Sequence, residues 1–151
     1  MYLNGSNWLK LAMENRLVKL FLRVALAAGM LSAVADRLGI WNQEISSWGN
    51  WNAFLAYTRS LNPWFPESFI PMVGIIATIA ETLFGLCLLF GFRTRLFARL
   101  TGFLMLLFAL AMACSLSIKA PLDYSVFAAA AAAFALGLMK ERYFEIDSLF
   151  S

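Results

Sequence analysis

Read for hydrophobic and polar positions, the chain is a series of long apolar runs separated by short polar clusters. Four runs approach the ~20 residues that a helix needs to cross a hydrocarbon core: roughly residues 20–38, 71–90, 96–117 and 122–139. The fourth holds a run of alanines, Ala128–Ala133, and is the least apolar of the set. The links after the second and third runs, "GFRTR" and "IKAP", are short, which favours antiparallel neighbours. The link between the first two runs is long and carries Trp41, Trp48, Trp51 and Trp64. Inside it, "WNAFLAYTRSL" sets Trp51, Phe54, Leu55 and Leu61 near one helical face, and "NPWFP" ends that helix. The pattern predicts an all-α integral membrane four-helix bundle, a single domain over residues 1–151, with an amphipathic helix on its outer face. The four tryptophans read as an interfacial aromatic belt or as a lid over a site.

Composition supports a membrane class. The chain has 151 residues, 62% hydrophobic and 14% charged, against about 25% charged in soluble domains. Histidine is absent. That removes the commonest metal ligand and general base, and any Ser-His or Cys-His pair. Cys87 and Cys114 form no CxxC motif. The formal net charge of +3 would suit nucleic acid, but the basic residues flank the apolar runs and follow a topology rule instead. With four spans, Lys10, Arg16, Lys19, Arg23, Arg93, Arg95, Arg99, Lys140 and Arg142 share one side, and only Arg37, Arg59 and Lys119 take the other. The richer side is cytoplasmic by the positive-inside rule, so both termini are expected on the cytoplasmic side. An Ala-x-Ala pattern at Ala33–Ala35 resembles a signal-peptidase site. The long basic segment before it and the apolar run continuing past it favour a retained span.

One carboxylate interrupts the second run. Gly74, Thr78, Glu81 and Gly85 recur at helical spacing, a small and polar stripe of the kind that faces other helices. A charge near the bilayer centre costs roughly 2.5–3.5 kcal/mol on insertion scales, so Glu81 needs a partner. At ~1.5 Å per residue, with the outer ends of spans one and two taken as level, Glu81 lies about 15 Å deep and Arg23 about 22 Å deep. An extended arginine covers that gap, so Arg23–Glu81 is the expected buried pair. The competing arrangement has Arg23 snorkelling to the interface and Glu81 protonated, held by Thr78, Thr82 or Ser32.

Further polar residues gather near the outer ends: Asp36, Arg37, Lys119, Asp123 and Tyr124. Asp123 is expected to cap the fourth span with Lys119 as an ion-pair partner. The alternative is an outward polar pocket under the Trp-rich link. The same depth arithmetic separates Cys87 from Cys114 by about 20 Å, too far for a disulfide, and both read as small buried residues. Met105 and Met112, one heptad apart, read as core.

These residues carry a resemblance. With Arg23 in "LRVALAAGMLSA", Glu81, Gly85, Gly91, Thr94 and Arg95 in "ATIAETLFGLCLLFGFRTR", and Lys119, Pro121 and Asp123 in "IKAPLDYSVF", the chain resembles the DoxX family of small four-helix bacterial membrane proteins over about residues 18–139. That family is related to the DoxD subunit of thiosulfate:quinone oxidoreductase and, more distantly, to surfeit-locus cargo receptors. The resemblance implies a membrane subunit of a quinone-linked oxidoreductase or redox-stress complex. It implies a quinone as candidate cofactor, and a redox protein or a second copy as partner beside the lipid bilayer. No nucleic-acid partner is expected. The alternative is an envelope protein for small-molecule binding, transport or assembly, without catalysis. No metal or cofactor motif lies in the chain itself.

Overall fold

The computed structural model describes residues 5–140 and 143–146, with side chains from residue 13 onward. Among these residues the only regular secondary structure is helix. Helix α1 spans Gly5–Arg37, α2 Trp51–Leu61, α3 Ile70–Phe90, α4 Thr94–Ser115, α5 Lys119–Asp123 and α6 Val126–Leu138, with a 3₁₀ turn at Glu67–Phe69 before α3. Three segments are long and apolar enough to cross a membrane: Met13–Arg37, Glu67–Phe90 and Thr94–Ser115. Their outward surfaces carry exposed Phe21, Ile76, Ile79, Leu83, Phe103 and Leu107. A water-facing protein would bury such side chains, whereas lipid solvates them.

The helices pack as two antiparallel pairs, α1 with α3 and α4 with α6, joined side by side through α3–α4 and α1–α6 contacts. Ala27, Met30, Leu88, Ala98 and Leu136 meet at the centre, with Met105 and Phe84 against them. The α4–α6 pair is close because its facing residues are small. Ala130, Ala133 and Gly137 are buried on α6, and a Cβ on Gly102 of α4 would stand 2.7 Å from the Phe134 ring.

The fourth span departs from expectation. Instead of one helix over 122–139, the chain makes the short α5, turns at Tyr124 and Ser125, and restarts as α6 with 13 residues. At ~1.5 Å per residue α6 covers about 20 Å, short of a hydrocarbon core. Ser125 at φ 55° is the break: a left-handed residue cannot continue a right-handed helix. Asp123 therefore ends α5 and does not cap the following helix, whose N-cap is Ser125 with no side-chain bond.

Helix α2 forms where its amphipathic pattern predicts. Asn50 caps it by accepting from the Ala53 N–H at 2.9 Å, and Asn62 stops it. It lies across one end of the bundle. Phe54, Leu55 and Trp51 cover Gly74 of α3, and Ser115 of α4 donates to the Leu61 carbonyl at 2.6 Å. At the other end Gly91 closes α3 in the left-handed conformation, φ 71°. A side chain there would also meet Glu145 Cα at 2.7 Å, so glycine lets the C-terminal segment fold under α3.

Two buried charge clusters at opposite ends of the bundle

The stripe on α3 faces inward as its spacing predicts: Gly74, Glu81 and Gly85 are buried, and Thr78 is half-buried. The partner of Glu81, however, is Arg37. Nη1 of Arg37 lies 2.5 Å from Glu81 Oε2, with both side chains at most 5% exposed. The same nitrogen donates to Thr78 Oγ1 at 3.0 Å, while Nε donates to the Ala33 carbonyl at 3.1 Å. Thr78 donates its hydroxyl hydrogen bond to the Gly74 carbonyl at 2.8 Å, leaving its oxygen lone pairs for arginine. Among the described residues Glu81 Oε2 takes no hydrogen bond of good angle. The contact is thus an ion pair held by proximity more than by directionality.

Aromatic rings close this site from above. The Arg37 guanidinium lies 4.1 Å from the Phe54 ring centre and 5.3 Å from that of Trp48. Trp48 stands edge-on to Phe54 at 5.3 Å, and Trp51 tilts against Phe54 at the same separation. Trp48 is held in place by Asp36. That carboxylate accepts the backbone N–H groups of Ser47 and Trp48 at 3.0 Å each and of Gly49 at 3.4 Å. Neighbouring residues of α1 thus divide the work: Asp36 fixes the loop and Arg37 reaches the carboxylate beneath it.

The remaining candidates separate. Lys119 and Asp123 pair with each other one turn apart, both exposed, and Tyr124 is exposed. The alternative outward pocket is therefore not assembled, since Asp36 is buried under the loop while Lys119, Asp123 and Tyr124 lie exposed. Of the four lid tryptophans, Trp48 and Trp51 cover the site. Trp41 lies along α1, donating to the Ser32 carbonyl and hydroxyl at 3.2 and 3.1 Å, and Trp64 is exposed. On α2, burial and, after it, the charge of Tyr124 push the Tyr57 phenol above its ordinary range. Both cysteines are free, but only Cys87 is partly buried; Cys114 is exposed on the outward surface of α4.

Arg23, the expected partner of Glu81, sits at the other end of the bundle. It donates to the carbonyls of Phe144 at 2.5 Å, Tyr143 at 3.1 Å and Leu89 at 3.5 Å. Glu145 joins it there, 3.6 Å from Arg23 and 2.7 Å from Lys19, all three deeply buried. The cause is register. Arg23 is level with Leu89, and Arg37 is level with Thr78, so α1 stops about 12 Å below the start of α3. The spans do not end level, because α2 and the Trp48 loop fill the space above α1. Glu145 follows the last span, and nothing in its local sequence points to a helix more than a hundred residues earlier. Its one local sign is an acid placed directly after Tyr143 and Phe144.

The structure also gathers Lys19, Arg93, Arg95 and Lys140 around one cavity at this end. That agrees with the shared side inferred from the charge pattern; the Lys10 side chain and Arg142 lie outside the described residues. The Ala33–Ala35 segment continues as helix into the buried Asp36 and Arg37.

Fold and sites together define an all-helical protein with three helices able to span a membrane and buried charges at both ends of the bundle. Compared with protein-family models, curated proteins and solved structures, the chain matches none of them.

Proposed function

We propose that this is a four-span protein of a bacterial inner membrane, DoxX-like, with both termini cytoplasmic. It serves as the membrane subunit of a quinone-linked oxidoreductase or redox-stress complex. α5 and α6 together supply the fourth span, and the basic end of the bundle lies inside. One observation carries the functional part. Glu81 and Arg37 are buried beside Trp48, and Trp48 also lines a cleft of about 410 Å³ between α1 and the loop, with Ser32, Asp36 and Trp41.

An intramembrane ionisable pair marks a functional site by default. A flat quinone headgroup can stack on indole in such a cleft. Its two carbonyls accept hydrogen bonds, and its reduction consumes two electrons and two protons. Arg37 can donate toward a headgroup oxygen once Trp48 shifts, and Glu81 can exchange a proton. The electrons must come from a partner, since the chain's only redox-capable side chains of the usual kind are two distant cysteines.

The enclosure of the ion pair under Phe54 and Trp48 favours a second reading, a non-catalytic binding or assembly protein whose pair only fixes the bundle. Mass spectrometry of the gently purified protein separates the two. The first reading expects a co-purifying quinone that is lost from the folded Trp48→Ala variant. Protein free of quinone and of any redox partner, yet stable only while Arg37 and Glu81 are both present, supports the second.

A further inference from the structure

We propose that the basic end of the bundle binds one anionic phospholipid, with its phosphate in the cavity between the α3–α4 turn and the end of α6. The cavity holds about 390 Å³, room for a glycerophosphate headgroup, and is lined by Lys19, Arg93, Arg95, Lys140 and one carboxylate, Glu145. Glu145 is already committed to Lys19 at 2.7 Å and to Arg23 at 3.6 Å. The charged lining residues are thus mostly cations, and Arg95 and Lys140 are exposed on the rim. Basic pockets between transmembrane helices at the cytoplasmic surface are suited to lipid phosphates.

The surface next to the cavity selects a lipid over a free anion. Leu96 lines the cavity and begins a row with Leu100, Phe103 and Leu107 on one face of α4. All four side chains are exposed. A phosphate seated among the cations would have its acyl chains running down this row, so charged and apolar surfaces are contiguous in the order an amphiphile presents them. The floor is closed, because Lys19 and Glu145 are buried against each other beneath Gly91.

The test is native mass spectrometry of the full chain in mild detergent with dioleoyl phosphatidylglycerol, dioleoyl phosphatidylcholine or inorganic phosphate added separately. The wild type should retain one phosphatidylglycerol and no phosphatidylcholine, and inorganic phosphate should not displace it. Arg95→Ala/Lys140→Ala alters two exposed residues and should keep the fold while losing the bound lipid. Arg59→Ala, which removes a surface pair between α2 and Glu67 of the 3₁₀ turn, should retain it. Equal retention of both lipids, no retention by the wild type, unchanged retention in the double variant, or displacement by inorganic phosphate would each overturn the proposal.

Discussion

Arg37, the last residue of α1, holds Glu81 in the middle of α3 at 2.5 Å and Thr78 one turn above it at 3.0 Å. A charge that would be costly in an apolar bundle is answered by a cation from the neighbouring helix, and the two helices are fixed in register by the same contact. The aromatic roof follows from this placement. Because α1 ends below the top of α3, the guanidinium needs cover, and Phe54 and Trp48 supply it.

The roof depends on Asp36. Its carboxylate takes three backbone N–H groups of the loop that carries Trp48. Replacing it with alanine leaves those donors without their partner, at about 1–3 kcal/mol for each one that stays buried. Asp36→Ala should release the loop and shift tryptophan emission toward that of exposed indole, while leaving the helical circular dichroism signal of the bundle intact. Emission identical to wild type would show that the loop holds itself.

Much of the framework was legible in the chain, for physical reasons that particular residues make plain. Three apolar runs long enough for a bilayer became α1, α3 and α4. The stripe Gly74, Thr78, Glu81 and Gly85 faces inward because small and polar side chains at helical spacing have nowhere better to go. Helix α2 announced itself through its apolar face and the Asn-Pro that follows it. The partner of Glu81 was not legible. Choosing between Arg23 and Arg37 needs the axial offset of two antiparallel helices, and that offset is set by α2, which lies outside both. The split of the fourth span was hidden for a related reason. Hydropathy reads "PLDYSVFAAAAAAFALGLM" as continuous, whereas the break rests on the backbone of a single serine, Ser125.

Glu145 is the second place where a buried charge decides stability. It answers Lys19 and Arg23, and Phe144 beside it holds φ 49°, a costly conformation for a bulky residue. Glu145→Ala should leave Lys19 buried without its carboxylate and destabilise the bundle by about 3–5 kcal/mol. Lys19→Met/Glu145→Ala should recover part of that loss, since the cation is removed together with its carboxylate. Unfolding in mixed detergent micelles compares the two, and equal instability would mean that the tail matters for something other than charge.

The Tyr57 phenol carries a pH dependence. Its folded pKa is raised by burial and by Tyr124, so the folded state holds the phenolic proton more tightly than the unfolded chain does. That contribution is fully present below the ordinary tyrosine pKa of about 10 and fades as pH rises above it toward the folded value. Ultraviolet difference titration should show one tyrosine ionising late, and Tyr57→Phe should remove that late step. A titration in which all tyrosines ionise together near the ordinary value would contradict the burial of this ring.

Arg37, and not Arg23, is the partner of Glu81. A double-mutant cycle in mixed micelles distinguishes the two arginines. Arg37→Met and Glu81→Gln should each cost about 3–5 kcal/mol, and the double variant should cost much less than their sum, because neither leaves a buried charge unanswered once the other is made. The parallel cycle of Arg23→Met with Glu81→Gln should be additive. Strong coupling of Glu81 to Arg23 together with additivity to Arg37 would mean that Arg23 is the partner.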